Sequence, residues 1–170
     1  DSLYHQLFNL TNVIKLIIDP DTLQILEANP AACQFYGYSA AQMMSMQLSE
    51  INTRPESEIV ATAQKIIVGT ISIFQTQHRI ASGHIRDVEI QAGLIDQVDK
   101  RYLYEIIQDV TERKQIEADL RRSESLHRLF AQNMPDSSVV MFDTDMRYTL
   151  VEGPFLKRSG MMSASMVGKL

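Results

Sequence analysis

The sequence contains no tryptophan, one cysteine, seven glycines and five prolines among 170 residues. Cys33 alone cannot close an intrachain disulfide or build a cysteine-based zinc cage. That usage fits a reducing compartment, and a cytoplasmic location is expected. No apolar run approaches the roughly 18 residues that suggest a membrane span, so no membrane contact is expected within this segment. Positive charge is in the minority: 16 Lys and Arg stand against 21 Asp and Glu, a formal net charge of −5. There is no basic footprint for a phosphate backbone, and nucleic acid is not an expected partner. A Gly-rich phosphate loop, a His-Glu metal helix and a Ser/His/Asp constellation are all absent. Nothing points to catalysis or to a metal site. With no initiator Met and no signal peptide, the chain reads as a piece of a longer protein whose membrane anchor, if any, lies elsewhere.

The composition that remains is 45% hydrophobic and 22% charged, ordinary for a globular protein. The length allows one complete domain and part of another. Leu3, Leu7 and Phe8 have helix-like spacing and form a short amphipathic lead-in. Val13 to Ile18 and Leu23 to Glu27 read as strands about the turn Asp19-Pro20-Asp21-Thr22. Asn29-Pro30 opens a helix, with Asn at the cap and Pro at the first helical position, and Gly37 closes it. Ser39-Ala40-Ala41-Gln42 is a capping box for a second short helix, and Leu48 to Ile51 is one more helical turn. Glu56 to Val68 is an amphipathic helix stopped by Gly69. Three strands follow, Ile71 to Ile80, Ile85 to Ile95 and Tyr102 to Gln108, with turns at Ser82-Gly83 and over 97–100. Strands and helices do not alternate regularly, so the fold class is α+β.

The strand ending at Gln108 runs straight into Asp109-Val110-Thr111-Glu112-Arg113 and a charged helix without Gly or Pro. Asp109 is expected to cap that helix, with Thr111 and Glu112 bonding nearby backbone and Glu112 completing a capping box. Ile116, Leu120, Ser123, His127 and Phe130 follow one another at four, three, four and three residues, a heptad seam with two polar interruptions. A parallel homodimer through this seam is expected. The alternative is a solvated helix packed on its own domain.

Past this helix the pattern restarts. Asp143-Thr144-Asp145 matches Asp19-Pro20-Asp21 at an offset of 124 residues, which also pairs Leu26 with Leu150, Pro30 with Pro154, Ser39 with Ser163 and Ala40 with Ala164. Upstream, His5, Leu7 and Phe8 match His127, Leu129 and Phe130 if the second copy carries two extra residues. Val139 to Phe142 and Tyr148 to Val151 would be the first strands of that copy. Gly153-Pro154-Phe155-Leu156-Lys157 and Met161-Met162-Ser163 depart from the first copy, and the second stops before its three-stranded half.

The run Asn29-Pro30-Ala31-Ala32-Cys33-Gln34-Phe35-Tyr36-Gly37-Tyr38-Ser39 resembles the N-x-A-A-x-x-x-x-G-Y-S stretch of PAS sensory domains. Asp109-Val110-Thr111-Glu112-Arg113 resembles the D-[IV]-T-E-[RK] motif, of PAC type, at which such domains pass into a signalling helix. The resemblance implies a five-stranded antiparallel sheet with short helices on one face. The expected organisation is a PAS domain over 3–111, a signalling linker helix over 112–133 and the truncated first half of a second PAS domain over 134–170. It implies a sensor module of a multidomain bacterial signalling protein, with an output domain downstream in the same chain. A histidine kinase of a two-component system and a diguanylate cyclase are the two types considered. Signal transfer is expected through Asp109, Thr111 and Glu112.

A small apolar or aromatic ligand is expected between sheet and helices, with Phe35, Met43, Ile59, Phe74 and His78 as pocket residues. In the competing reading the side chains fill the cup and the domain only dimerises. Heme and flavin are not expected. Cys33 is outside any G-x-N-C-R-F-L-Q run of the kind that bonds flavin in light-sensing relatives, and reads as a small buried hydrophobe. Heme-binding relatives place a His in the long helix, here Glu56 to Val68, which has none. A heme-based gas or redox sensor would need His78. His84 is read as solvated in its turn, and His5 and His127 as helix-surface residues. Met43, Met44 and Met46 are read as gap fillers before an adaptable pocket lining. Asp19 and Asp21 are read as turn residues, since one turn supplies too few cation ligands.

Overall fold

The computed structural model describes residues 2–9, 12–97, 99–133, 138–153 and 166–169. It divides into two compact units, Asp1–Lys114 and Gln115–Leu170.

The first unit opens with α1 (Ser2–Asn9), followed by β1 (Ile14–Ile18) and β2 (Ile25–Ala28). The turn between these strands is organised by Asp19, whose Oδ1 accepts the backbone N–H groups of Asp21 at 2.9 Å and Thr22 at 3.0 Å. The bond from the Thr22 backbone does most to hold the Asp19 carboxyl below its ordinary range. The Asp19 side chain is thus engaged in turn chemistry, to which Asp21 contributes its backbone N–H. Leu23 closes the loop at φ 59°, a left-handed conformation unusual for a residue with a branched side chain.

α2 (Pro30–Tyr36) is capped by the Asn29 side chain and ends on Gly37 at φ 78°, whose N–H reaches the Cys33 carbonyl. Beside α3 (Ala40–Met44), Ser39 and Gln42 exchange both bonds of the capping box. α4 (Leu48–Ile51) and α5 (Glu56–Ile67) complete the helical layer. β3 (Ile73–Arg79), β4 (Ile85–Gln97) and β5 (Lys100–Asp109) complete the sheet, and α6 (Thr111–Asn133) follows. β3 starts later than propensity suggests because the Ile71 N–H bonds back to the Lys65 carbonyl at the end of α5. β4 and β5 run further than expected, pairing Gln97 with Lys100 across a tight turn. Val98, in that turn, lies outside the described residues.

The strand order is β2-β1-β5-β4-β3, with every neighbouring pair antiparallel. β5, the last of these five strands in sequence, is therefore the central one. Its inward residues Leu103, Glu105 and Ile107 alternate with Tyr102, Tyr104 and Ile106 on the other face. Leu16 and Ile18 of β1, Val88 and Ile90 of β4, and Ile25 of β2 join Leu103 and Ile107 in the core, with Tyr36, Met43, Ile51 and Ile59 from the helical layer. Burial of these side chains supplies the main favourable term for the unit.

In the second unit, β6 (Val139–Phe142) and β7 (Tyr148–Glu152) form an antiparallel hairpin. Asp143 accepts the Asp145 and Arg147 N–H groups, each at 2.9 Å, and Met146 has φ 61°. The strand register shifts between Met141 and Phe142, as it does between Ile17 and Ile18 in the first hairpin, again 124 residues apart. Pro154, Ser163 and Ala164, and the Met161-Met162 pair, lie outside the described residues.

Candidate functional site

α4, α5 and the inward faces of β3 and β5 border a partly open cavity of about 240 Å³. Ile59, Ala63 and Ile66 of α5, Phe74 of β3, Leu48 of α4 and Leu103 of β5 give it apolar walls. Thr76, Asn52 and Glu105 bring polar atoms to it. Period-2 alternation places Phe74, Thr76 and His78 together on the inward face of β3, and Leu103, Glu105 and Ile107 on that of β5.

Glu105 is 2% exposed, and its Oε2 is buried without a hydrogen-bond partner among the described residues. Burial pushes its carboxyl up to about 7, because the charged form is desolvated with no compensating donor. Across the sheet its register partners are Leu16 and Ala92, which bring no charge to it.

A polar chain runs beside the cavity. The Tyr36 hydroxyl and His78 Nδ1 are 2.7 Å apart, and Asn52 Nδ2 stands 3.5 Å from His78 Nε2. The Thr76 hydroxyl donates to Asn52 Oδ1 at 3.4 Å. Burial pushes His78 down to about 4, so it is neutral at physiological pH. Burial first, and then the Glu105 charge, hold the Tyr36 phenol well above its usual value.

The expected pocket residues separate in space. Ile59 and Phe74 line the cavity; Phe35, Met43 and His78 do not. Met43 is fully buried in the core, where its flexible chain fills space between helix and sheet. Phe35 packs edge-on against Tyr36 and borders a surface depression with Pro30 and Gln34. His78 meets Tyr36 at Nδ1 and Asn52 at Nε2 and does not line the cavity. Cys33 is half-buried rather than buried, and burial raises its thiol. His84 is exposed, with Nδ1 2.8 Å from the Ser82 hydroxyl, and His127 is exposed on α6. The His5 side chain lies outside the described residues. Sequence reasoning missed Glu105, Asn52, Thr76 and Tyr36. For Glu105 a signal existed, since it sits two residues from both Leu103 and Ile107 on a strand read as core.

At the joint, Thr111 is the first helical residue, so Val110 and not Asp109 stands at the cap position of α6. The cap position is thus one residue later than expected, while the expected bond from the Asp109 side-chain oxygen to the helix start is present. β5 still pairs Asp109 with Val88, so the strand holds that residue in the ladder. Asp109 Oδ1 instead accepts the Thr111 N–H at 3.0 Å and the Thr111 hydroxyl at 2.6 Å. The Thr111 oxygen in turn accepts the Asp87 N–H at 2.9 Å, and the Val110 N–H bonds the Asp87 carbonyl at 2.9 Å. Lys114 Nζ reaches Asp87 Oδ1 at 3.1 Å. The helix start is therefore strapped to β4 through Asp87. Glu112 is exposed in the first turn and completes no capping box.

The sequence profile of the PAS domain family matches residues 13–112. The chain belongs to that family. Among curated proteins it resembles the diguanylate cyclase DgcM of Escherichia coli K12, 30% identical over 123 residues, covering 71% of this chain and 30% of that one. It also resembles the methyl sulfide methyltransferase-associated sensor of Methanosarcina acetivorans, 25% identical over 119 residues, 69% of this chain and 12% of that one. The chain thus spans under a third of the length of either relative. Among solved structures it resembles a PAS domain from a two-component sensor histidine kinase, with TM-score 0.53 and 25% identity, covering 64% of this chain and 94% of that one. A PAS domain of an HTR-like protein from Haloarcula marismortui shares the fold at TM-score 0.57 and 18% identity, covering 64% of this chain and 89% of that one. Residues 13–112 are a PAS sensor domain, a regulatory module related to parts of signalling proteins. No helix among the described residues is long and apolar enough to cross a membrane.

Proposed function

We propose that this PAS domain senses a small ligand in the cavity under α5 and relays its occupancy along β5 into α6. The observation that carries this reading is the position of β5. Leu103 and Glu105 border the cavity, and four residues after Glu105 the same strand ends at Asp109, where the bonds to Asp87 fasten the start of α6. A strand displaced at Glu105 pulls on that cluster. Ala63→Met fills the cavity from the α5 side and stands in for a ligand. It is expected to change amide hydrogen exchange over Leu103–Asp109 and at Thr111–Lys114 while the fold persists. Unchanged exchange at the joint in a folded variant would sink the relay.

In the parent protein we assign this module to the input side of a histidine kinase or a diguanylate cyclase, with the output domain further along the same chain, in a cytoplasmic segment. Support comes from the relatives' own descriptions and from the D-V-T-E-R run at the joint, which we read as a PAC-type junction. The hairpin of β6 and β7 supports reading the region after α6 as the start of a second PAS domain. Its aspartate anchor, left-handed loop residue and register shift repeat those of β1 and β2.

The second reading, a dimerisation module, draws on α6. Ile116, Leu120 and Phe130 are 60%, 59% and 65% exposed along the heptad stripe that includes Ser123 and His127. A second copy of the same helix, in parallel, would cover that stripe. Sedimentation of the intact chain is expected to find a weak dimer that Leu120→Lys converts to monomer. Identical sedimentation of both proteins would remove the seam.

A further inference from the structure

The geometry points to a small organic cation, an alkyl or benzylic ammonium, as the ligand class of the cavity under α5, held by N–H donation to the Glu105 carboxylate. This inference rests on the reading of that cavity as a ligand site.

Among the polar groups at the cavity, Glu105 and Thr76 have acceptor atoms to spare, while Arg54 and Lys65 bring donors. Glu105 offers two carboxyl oxygens that bond to no described residue, one of them, Oε2, wholly buried. The Thr76 hydroxyl spends its hydrogen on Asn52 Oδ1 and keeps its lone pairs. The Asn52 amide nitrogen is turned to His78, and Asn52 Oδ1 also accepts the Arg54 N–H at 3.0 Å. A ligand that brings hydrogen-bond donors satisfies these groups, whereas one that brings only acceptors leaves them orphaned.

Charge narrows the class further. A buried carboxylate without a partner is costly, and a cation beside it supplies the missing charge. None of the surrounding groups already does so. His78 of β3 is engaged at both nitrogens and neutral, and Tyr36 of α2 is a phenol that Glu105 only repels on ionisation. Leu16 of β1 and Ala92 of β4 are apolar. Arg54 and Lys65 also border the cavity, but both are exposed, and Arg54 reaches Glu58 at 3.4 Å. The remaining wall, Leu48, Ile59, Ala63, Ile66, Phe74 and Leu103, suits a hydrocarbon body on the ammonium. Because burial holds the Glu105 carboxyl at about 7, binding of a cation expels a proton. Affinity then rises with pH toward neutrality and levels once Glu105 is ionised.

The test is calorimetric titration of the intact chain with benzylammonium, benzyl alcohol and benzoate, three probes alike in shape and different in charge. Benzylammonium is expected to bind tightest, about fivefold more strongly at pH 7 than at pH 6. Glu105→Gln, which keeps the volume, is expected to weaken it at least tenfold and to remove that pH dependence. Thr76→Val leaves the carboxylate in place and is expected to keep the pH dependence, so its loss in both variants would mark misfolding rather than loss of the carboxylate. If benzoate or benzyl alcohol binds at least as tightly, or if benzylammonium binds Glu105→Gln unchanged, the cation is wrong and the cavity stands as a site for another ligand class. If none of the three binds, the cation and the ligand-sensing reading fall together.

Discussion

Stability of the intact chain is expected to vary little between pH 4.5 and 6.5, and Glu105→Gln is expected to unmask a slope. Glu105 ionises at about 7 in the folded state against an ordinary 4.5. The folded chain therefore keeps a proton that the unfolded chain releases in this window. Its contribution is fully present below 4.5 and is lost as pH rises through about 7. His78 ionises at about 4 when folded, against an ordinary 6.5. Here the unfolded chain takes up the extra proton, so the contribution is present above 6.5 and is lost as pH falls through about 4. Each shift corresponds to about 3 kcal/mol, and over the shared window the two run in opposite directions. Glu105→Gln leaves only the histidine, so stability should climb by about 3 kcal/mol from pH 4 to 6.5. His78→Gln leaves only the glutamate, and stability should fall by a similar amount from pH 4.5 to 7. Urea denaturation across this range measures each slope independently of the absolute cost of either substitution. Variants whose slopes match the wild-type profile would mean that these two groups are not the titrating pair.

Asn29→Ala is expected to be among the most destabilising single changes in the first unit. Asn29 is fully buried, and its side chain makes four hydrogen bonds. Oδ1 accepts the Lys15 N–H at 3.0 Å and the Ala32 N–H at 2.9 Å. Nδ2 donates to the Phe8 carbonyl at 3.1 Å and the Val13 carbonyl at 2.7 Å. One amide thus caps α2 and ties the end of α1 and the approach to β1 to the helix start. Alanine removes the cap, worth about 1 kcal/mol, and orphans further buried groups at about 1–3 kcal/mol each where water does not enter. A total of roughly 3–5 kcal/mol is expected, a large share of the 5–15 kcal/mol that ordinarily holds a domain folded. Chemical denaturation of the intact chain measures it. A loss no larger than that of a surface cap, about 1 kcal/mol, would show that the two carbonyls find other donors and that the amide is only a cap.

Local chemistry made much of this protein legible from its residues. Asn29, Pro30 and Gly37 delimit α2, and Ser39 with Gln42 delimits α3, because caps and left-handed glycines act over a few residues and read the same in any fold. The hairpin aspartates Asp19 and Asp143 are legible for the same reason. The heptad stripe of α6 is a one-dimensional spacing, legible along the chain by itself. Placing α6 relative to its cap was harder. A strand that keeps Asp109 in register with Val88 holds it one residue short of the cap position, and that ladder comes from distant sequence.

The cavity was decided by tertiary structure alone. Phe35, Met43 and His78 are apolar or aromatic residues at plausible positions, yet only the packing of α2 and α3 on the sheet consigns them to core or surface. Asn52 and Thr76 gain meaning because β3 pairs with β4 and presses against α4, which closes a polar chain from Tyr36 to Thr76. Glu105 is the instructive case. Alternation along β5 was enough to aim it inward, since side chains on a strand repeat every second residue. Its isolation from any donor among the described residues was not in the sequence. That isolation follows from the central place of β5 between β1 and β4, whose residues opposite it are Leu16 and Ala92. A strand's own sequence fixes which face a side chain takes; its partners across the sheet decide what that side chain meets.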